Sequence, residues 1–343
     1  MIAPLLLLGI ALGSHGLALV SAEAIAFIDP AVPVALGALG ALLGLSAGTR
    51  RSGDRRLFAV ASVEALVTAA CVAIPFAMLL PVVAPATTLP EWLVAVLVAV
   101  CAATALAVPA GSPAAPGDHS GRVMELDALL AVAAGGVLLS TIREPSPMAA
   151  LSLTAQACLA TLVLAASAWL LLSKAASDTA ERVFTLAALL LVGGAADYLS
   201  LSALLGGVLA GVFWQRAGGP ARELIRRDAL YLQHPLLVLL LVIAGARAEL
   251  TLPAVALGLT YAVLRAGGRR AAGWAARRLA GPFRCVDLGA RLLPPGVFGV
   301  AFALNAVREY GPELSIVLTV IVIGTAASDL VAGMVGRREA VVA

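Results

Sequence analysis

The stretch Gly121-Arg-Val-Met-Glu-Leu-Asp127-Ala-Leu-Leu-Ala-Val-Ala-Ala-Gly-Gly-Val-Leu-Leu-Ser140 decides how this chain is read. It is an apolar run of about the twenty residues a helix needs to cross a bilayer. It also carries a carboxylate, Asp127, inside it. An acid held in hydrocarbon is costly, so it normally faces a polar pathway or a partner. Runs of this kind make up most of the chain. Of its 343 residues 61% are hydrophobic and only 13% charged, and the mean hydropathy is +1.01. That composition belongs to a polytopic membrane protein rather than a soluble one. The runs are continuous instead of alternating, so the spans are helices and not barrel strands.

The expected fold is all-α, with about twelve transmembrane helices in one transmembrane domain over residues 1–343 and no soluble domain. The spans fall at 2–20, 27–48, 57–80, 90–110, 121–142, 149–172, 180–196, 198–215, 229–246, 251–270, 289–307 and 313–335. Lys and Arg test this alternation. The connections at 49–56, 111–122, 173–182, 216–228 and 265–291, with the C-terminal tail, hold 20 of the 23 basic residues. Only Arg143, Arg247 and Arg308 lie on the other side. This bias predicts a multi-pass protein of the cell (inner) membrane with its C-terminus in the cytoplasm. Residues 1–22 end in Val20-Ser21-Ala22, which resembles a leader cleavage site. No basic residue precedes the apolar run, so it is read as a retained helix.

Four cysteines without a CxxC pair, and three histidines at 15, 119 and 234, offer neither a disulfide framework nor a metal cluster. No cofactor is expected. No nucleophile-with-base set lies within the spans, so the chain does not read as an enzyme and no catalytic residue is assigned. Pro and Gly cluster at Val108-Pro109-Ala-Gly-Ser-Pro-Ala-Ala-Pro-Gly117 and at Leu293-Pro294-Pro295-Gly296. Pro109, Pro294, Pro295 and Gly296 are therefore candidate helix breaks in the fourth and eleventh spans. Broken helices within a membrane are tolerated where they line a cavity, and paired breaks point to a transport site. The two lie seven helices apart, and that odd offset makes them antiparallel, as an inverted repeat requires.

Several stretches carry a family resemblance in order along the chain. They are Leu36–Gly48, rich in glycine; Arg55–Glu64, where a Gln is common at the position of Glu64; and Ala102-Ala-Thr104-Ala-Leu-Ala-Val108. Leu201–Gly211, Arg269–Gly281 and Leu293–Phe302 follow. Together they resemble the cation/proton antiporters of the sodium/hydrogen exchanger superfamily, nearest to the potassium-efflux branch, over roughly residues 30–335. The resemblance implies an inverted-repeat fold with two crossed discontinuous helices, a mobile core and a dimerising part, hence a homodimer. It also implies that an Asp after the first crossed helix binds cation and proton in turn; Asp127 matches. The residue before that Asp is usually polar, and here it is Leu126.

The residues then take the following expected roles. Asp127, Thr104 and Glu64 bind the cation or the proton, which compete for one negative charge. Asp127 otherwise lies near a cytoplasmic helix end and reaches water. Glu64 is a second carboxylate, a gate or a solvated helix end. Thr104 offers a hydroxyl at the first break or bonds back to its own helix. In the family one basic residue of the tenth span compensates the charge of the empty site. Spacing favours Arg269 and depth favours Arg265, and the alternative is a cytoplasmic basic collar. Asp329 is read as structural, within reach of Arg337 or Arg338.

The expected activity is exchange of a monovalent cation, Na⁺ or K⁺, for protons. The partners are that cation, the proton and the lipid bilayer; no nucleic acid is expected. The alternatives are an organic-anion symporter of similar fold, and a transport-inactive homologue serving as a membrane subunit or sensor.

Overall fold

The computed structural model describes residues 2–14, 16–48, 54–83, 89–105, 119–143, 146–174, 177–199, 201–280 and 293–342. The helices are α1 (Ile2–Leu12), α2 (Ala22–Ile28), α3 (Ala31–Ala47), α4 (Asp54–Val83), α5 (Glu91–Ala102), α6 (Ser120–Arg143) and α7 (Pro147–Ser173). They continue with α8 (Asp178–Tyr198), α9 (Ala203–Ala217), α10 (Gly219–Ala246), α11 (Leu252–Ala280), α12 (Val297–Tyr310) and, after a 3₁₀ turn at Pro312–Leu314, α13 (Ser315–Val342). Among the described residues six segments are long and apolar enough to cross a bilayer: 55–83, 120–140, 148–173, 179–198, 221–246 and 312–333. With the composition, they make this a multi-pass membrane protein.

The chain divides into two compact units. The first comprises Met1–Ala22, Gly53–Ala131 and Leu241–Ala343. Its α11 packs along α4 and α13, and α5 lies against α4 and α12. At its N-terminus α1 is fixed in two ways. Asp329 of α13 accepts from the backbone N–H of Ile2 and Ala3 at 3.0 and 2.9 Å, which satisfies two donors that a helix start leaves open. Gly9 and Gly245 also bring α1 and the end of α10 into backbone contact, since a Cβ at either would strike the facing main chain. Asp329 thus binds the start of α1.

The second unit comprises Glu23–Ser52 and Val132–Leu240. Its centre is the pair α3 and α9. Gly37, Gly40 and Gly44 on one helix meet Gly207 and Gly211 on the other so closely that a Cβ at Gly40 or Gly44 would run into the backbone of Leu204 or Val208. Small residues at this spacing let membrane helices associate through van der Waals contact where no hydrophobic drive exists. Trp214, fully buried, donates its indole N–H to the Ala165 carbonyl at 2.8 Å and joins α9 to α7.

Several expected spans differ in extent. The first, expected over 2–20, is helical only to Leu12. Beyond it Gly13 and Gly16 turn the chain, with Leu17 N–H donating to Ala11 O at 2.7 Å. The fourth, expected over 90–110, is helical from Glu91 to Ala102; residues 106–118, and Pro109 with them, lie outside the described residues. The tenth, expected to end at 270, runs on as helix to Ala280. Arginine is a good helix former, so a basic run that reads as a connection remains helical.

Candidate functional site

Among the charged side chains that the first unit buries, three meet and a fourth lies one turn away. Glu64 on α4, Asp127 on α6 and Arg269 on α11 are each 0% exposed, and Arg265 on α11 is 1% exposed. Apolar packing sets the register that brings the acids together. Leu57, Val60 and Ala61 of α4 cluster with Val123 and Leu126 of α6 and with Ala276 of α11. Glu64 follows Val60 by one helical turn, Asp127 follows Val123 by one turn, and Arg269 precedes Ala276 by two turns. Residues one or two turns apart share a helix face, so the same contact that seats the cluster aligns the three ionic groups.

Arg269 is the centre. Its Nη1 donates to Glu64 Oε1 at 2.5 Å and to Asp127 Oδ2 at 2.9 Å. Its Nη2 donates to the carbonyl of Ala102, the last residue of α5, at 2.9 Å. Each carboxylate therefore commits one oxygen to the guanidinium. Among the described residues Glu64 Oε2, Asp127 Oδ1 and Arg269 Nε have no hydrogen-bond partner. Two carboxylate oxygens facing a sealed interior are what a proton or a hard cation would occupy, because oxygen ligands and negative charge are already there.

One turn earlier, Arg265 does different work. Its Nη1 donates to Leu293 O at 2.7 Å, and its Nη2 to Thr104 O and Pro294 O, both at 3.1 Å. The first and third carbonyls belong to the chain entering α12, and the second lies just past the end of α5. Irregular backbone inside a membrane must find internal partners, and a planar guanidinium fork can serve several carbonyls at once. The same place requires a glycine. A Cβ on Gly299 of α12 would come within 2.8 Å of both Cys101 O and Thr104 Oγ1. The end of α5 and the start of α12 thus meet with no space between them.

These positions bear on the expectations residue by residue. Asp127 and Glu64 are fully buried, so neither is a solvated helix end. Thr104 is buried too, but its hydroxyl donates back to Cys101 O at 2.9 Å and its carbonyl, not its side chain, takes Arg265. Arg265 and Arg269 belong to the interior and not to a basic collar; the exposed arginines of α11 are Arg270, Arg277 and Arg278. Leu126 stands beside Asp127 in the apolar cluster, and the second acid arrives from α4 as Glu64. Pro294, Pro295 and Gly296 precede α12, whose first helical residue is Val297. Two members of the site escaped the sequence reading. One is Thr68, whose hydroxyl donates to Glu64 Oε1 at 3.1 Å; its spacing of four from Glu64 was the available signal. The other is the Ala102 carbonyl, which no side-chain pattern announces.

The arrangement defines a class: a helical membrane protein whose buried ionic centre lies beside two helix ends meeting inside the protein. No family model and no curated protein matches the chain in sequence. Among solved structures it is similar to the sodium proton antiporter MjNhaP1 from Methanocaldococcus jannaschii, with a TM-score of 0.65 at 19% identity. The alignment covers 97% of this chain and 91% of that one. The chain therefore has a sodium/proton exchanger-type fold.

Proposed function

We propose that this chain is a secondary antiporter that exchanges a monovalent cation, Na⁺ or K⁺, for protons across the cell membrane. The observation that carries the reading is the sharing of Arg269 Nη1 between Glu64 and Asp127, each of which keeps one oxygen unmatched. Two buried acids and one base form a centre in which a cation or a proton competes with the guanidinium for the carboxylates. Cation and proton then exclude one another, and that exclusion couples their movements. In the empty state Arg269 supplies the compensating charge, as a buried acid pair requires.

In this reading α5 and α12 are inner halves of two discontinuous helices that cross where Gly299 meets Cys101. In the same reading the chain has about twelve spans arranged as an inverted repeat. Arg265 holds the crossing, and Arg269 links it to the acids through Ala102. The uneven distribution of Lys and Arg along the sequence supports a cytoplasmic C-terminus. A homodimer is the expected assembly. An organic anion fits less well, since the arginine nearest the breaks spends its donors on backbone carbonyls. A transport-inactive role fits less well, because Asp127 is buried against Arg269, which also reaches the Ala102 carbonyl at the end of α5, instead of opening to water.

The reading is tested by reconstituting the full chain into proteoliposomes containing a pH-sensitive dye and a transmembrane pH gradient. Addition of Na⁺ or K⁺ is expected to collapse the gradient. A gradient indifferent to both ions would overturn it.

A further inference from the structure

Thr68 is fully buried on α4, one turn beyond Glu64. A helical threonine ordinarily returns its hydroxyl to the carbonyl four residues back. In this chain Thr154, Thr161, Thr185, Thr260 and Thr319 all do so, at 2.7–2.9 Å. Thr68 donates instead to a side chain, the Oε1 of Glu64, at 3.1 Å. That oxygen already accepts from Arg269 Nη1. Two donors therefore hold Oε1, and Oε2 is left without a partner among the described residues. The position is tightly enclosed. Gly268, adjacent to Arg269, lies over this turn of α4, where a Cβ would come 3.0 Å from Cys71 Cβ and 3.4 Å from Thr68 Cα.

We propose that Thr68 is a positioning residue for the exchange: its hydroxyl fixes the Glu64 carboxylate so that Oε2 remains open to the ion. The argument turns on the alternative geometry. A carboxylate facing a guanidinium prefers the bidentate fork, in which both oxygens are taken. Without the Thr68 hydroxyl, Glu64 is free to rotate into that arrangement on Arg269, and both of its oxygens close to the cation. Thr68 keeps the pair monodentate and hence displaceable. The proposal rests on the antiport reading and adds to it a determinant of cation affinity.

The test compares Thr68→Val, which removes the hydroxyl at nearly constant volume, with Thr68→Ser, which retains it. Both full-length variants are reconstituted in proteoliposomes, and initial exchange rates are recorded against Na⁺ and K⁺ concentration at several pH values. Loss of a hydrogen bond to a charged group predicts an apparent KM raised about tenfold in Thr68→Val, with a displaced pH profile. Thr68→Ser is expected to retain the KM and the pH profile of the unmodified chain. Thr68→Ala, expected to behave as the valine variant, serves where valine prevents folding. A Thr68→Val protein with unchanged KM and pH profile overturns the proposal, and so does one with only a lowered maximal rate, which is what a purely structural role gives. If that occurs while Asp127→Asn abolishes exchange, the Thr68 inference alone fails. If Asp127→Asn exchanges normally, the antiport reading fails with it.

Discussion

Glu64 of α4 and Asp127 of α6 are joined through a single nitrogen, Nη1 of Arg269, at 2.5 and 2.9 Å. All three groups are buried. The acids are mutually repulsive and are held together by the base, so the centre is stable only while its charges remain matched or are replaced by an incoming ion.

Arg269→Ala removes the shared partner and leaves two uncompensated acids. Breaking a buried ion pair from one side costs about 3–5 kcal/mol. Thermal unfolding in detergent is expected to show a large fall in Tm. Part of that loss should return in the double variant Glu64→Gln with Arg269→Ala, where one of the stranded charges is gone.

Glu64→Gln retains a carbonyl oxygen for Thr68 and Arg269 but loses the negative charge. Charge-assisted hydrogen bonds are about twice as strong as neutral ones, so the centre holds a cation less tightly while the helices still pack. The expected result is normal expression with an apparent KM raised about tenfold, read from the concentration dependence of exchange.

Arg265→Lys keeps the charge and loses the fork. One ammonium cannot reach Leu293 O, Thr104 O and Pro294 O with the geometry of the guanidinium. At least one buried carbonyl is left unsatisfied, at a cost of about 1–3 kcal/mol. A lower Tm together with slower exchange is expected, and stability equal to that of the unmodified chain would argue against the bracing role.

Asp329→Ala removes the carboxylate that accepts from Ile2 and Ala3 at the start of α1. Loss of such a cap typically costs about 1 kcal/mol. Faster amide exchange in α1 and a slightly lower Tm are expected, with the rate of ion exchange unchanged.

Much of this was legible in the sequence, for identifiable reasons. Asp127 and Glu64 stand out because an acid inside an apolar run has few explanations. The irregular chain at Leu293–Gly296 ahead of α12 was marked by proline, which cannot donate within a helix, whereas the cluster at 108–117 lies outside the described residues. What connects them, Arg269 and Arg265, was reached only through the family resemblance and not from local pattern. Arg269 lies 205 residues from Glu64 and 142 from Asp127, and pairing at such separations leaves no local pattern. Arg265 binds only backbone carbonyls, which every sequence possesses. A collar was the alternative for Arg265 and Arg269 because basic residues at the end of a span usually form one. The helix continues past them and turns two of them inward. The break after Leu12 was misjudged for the opposite reason: Gly13 and Gly16 sit in a run apolar enough to be taken as continuous.

The most direct test of the account is cation-driven proton flux in proteoliposomes containing Asp127→Asn beside the unmodified chain, at equal amounts of folded protein. The substitution preserves size, keeps one oxygen for Arg269 and removes the negative charge that α6 brings to the guanidinium. The account predicts that Na⁺- or K⁺-dependent collapse of the pH gradient disappears while the protein still folds. Exchange at the rate of the unmodified chain would contradict it.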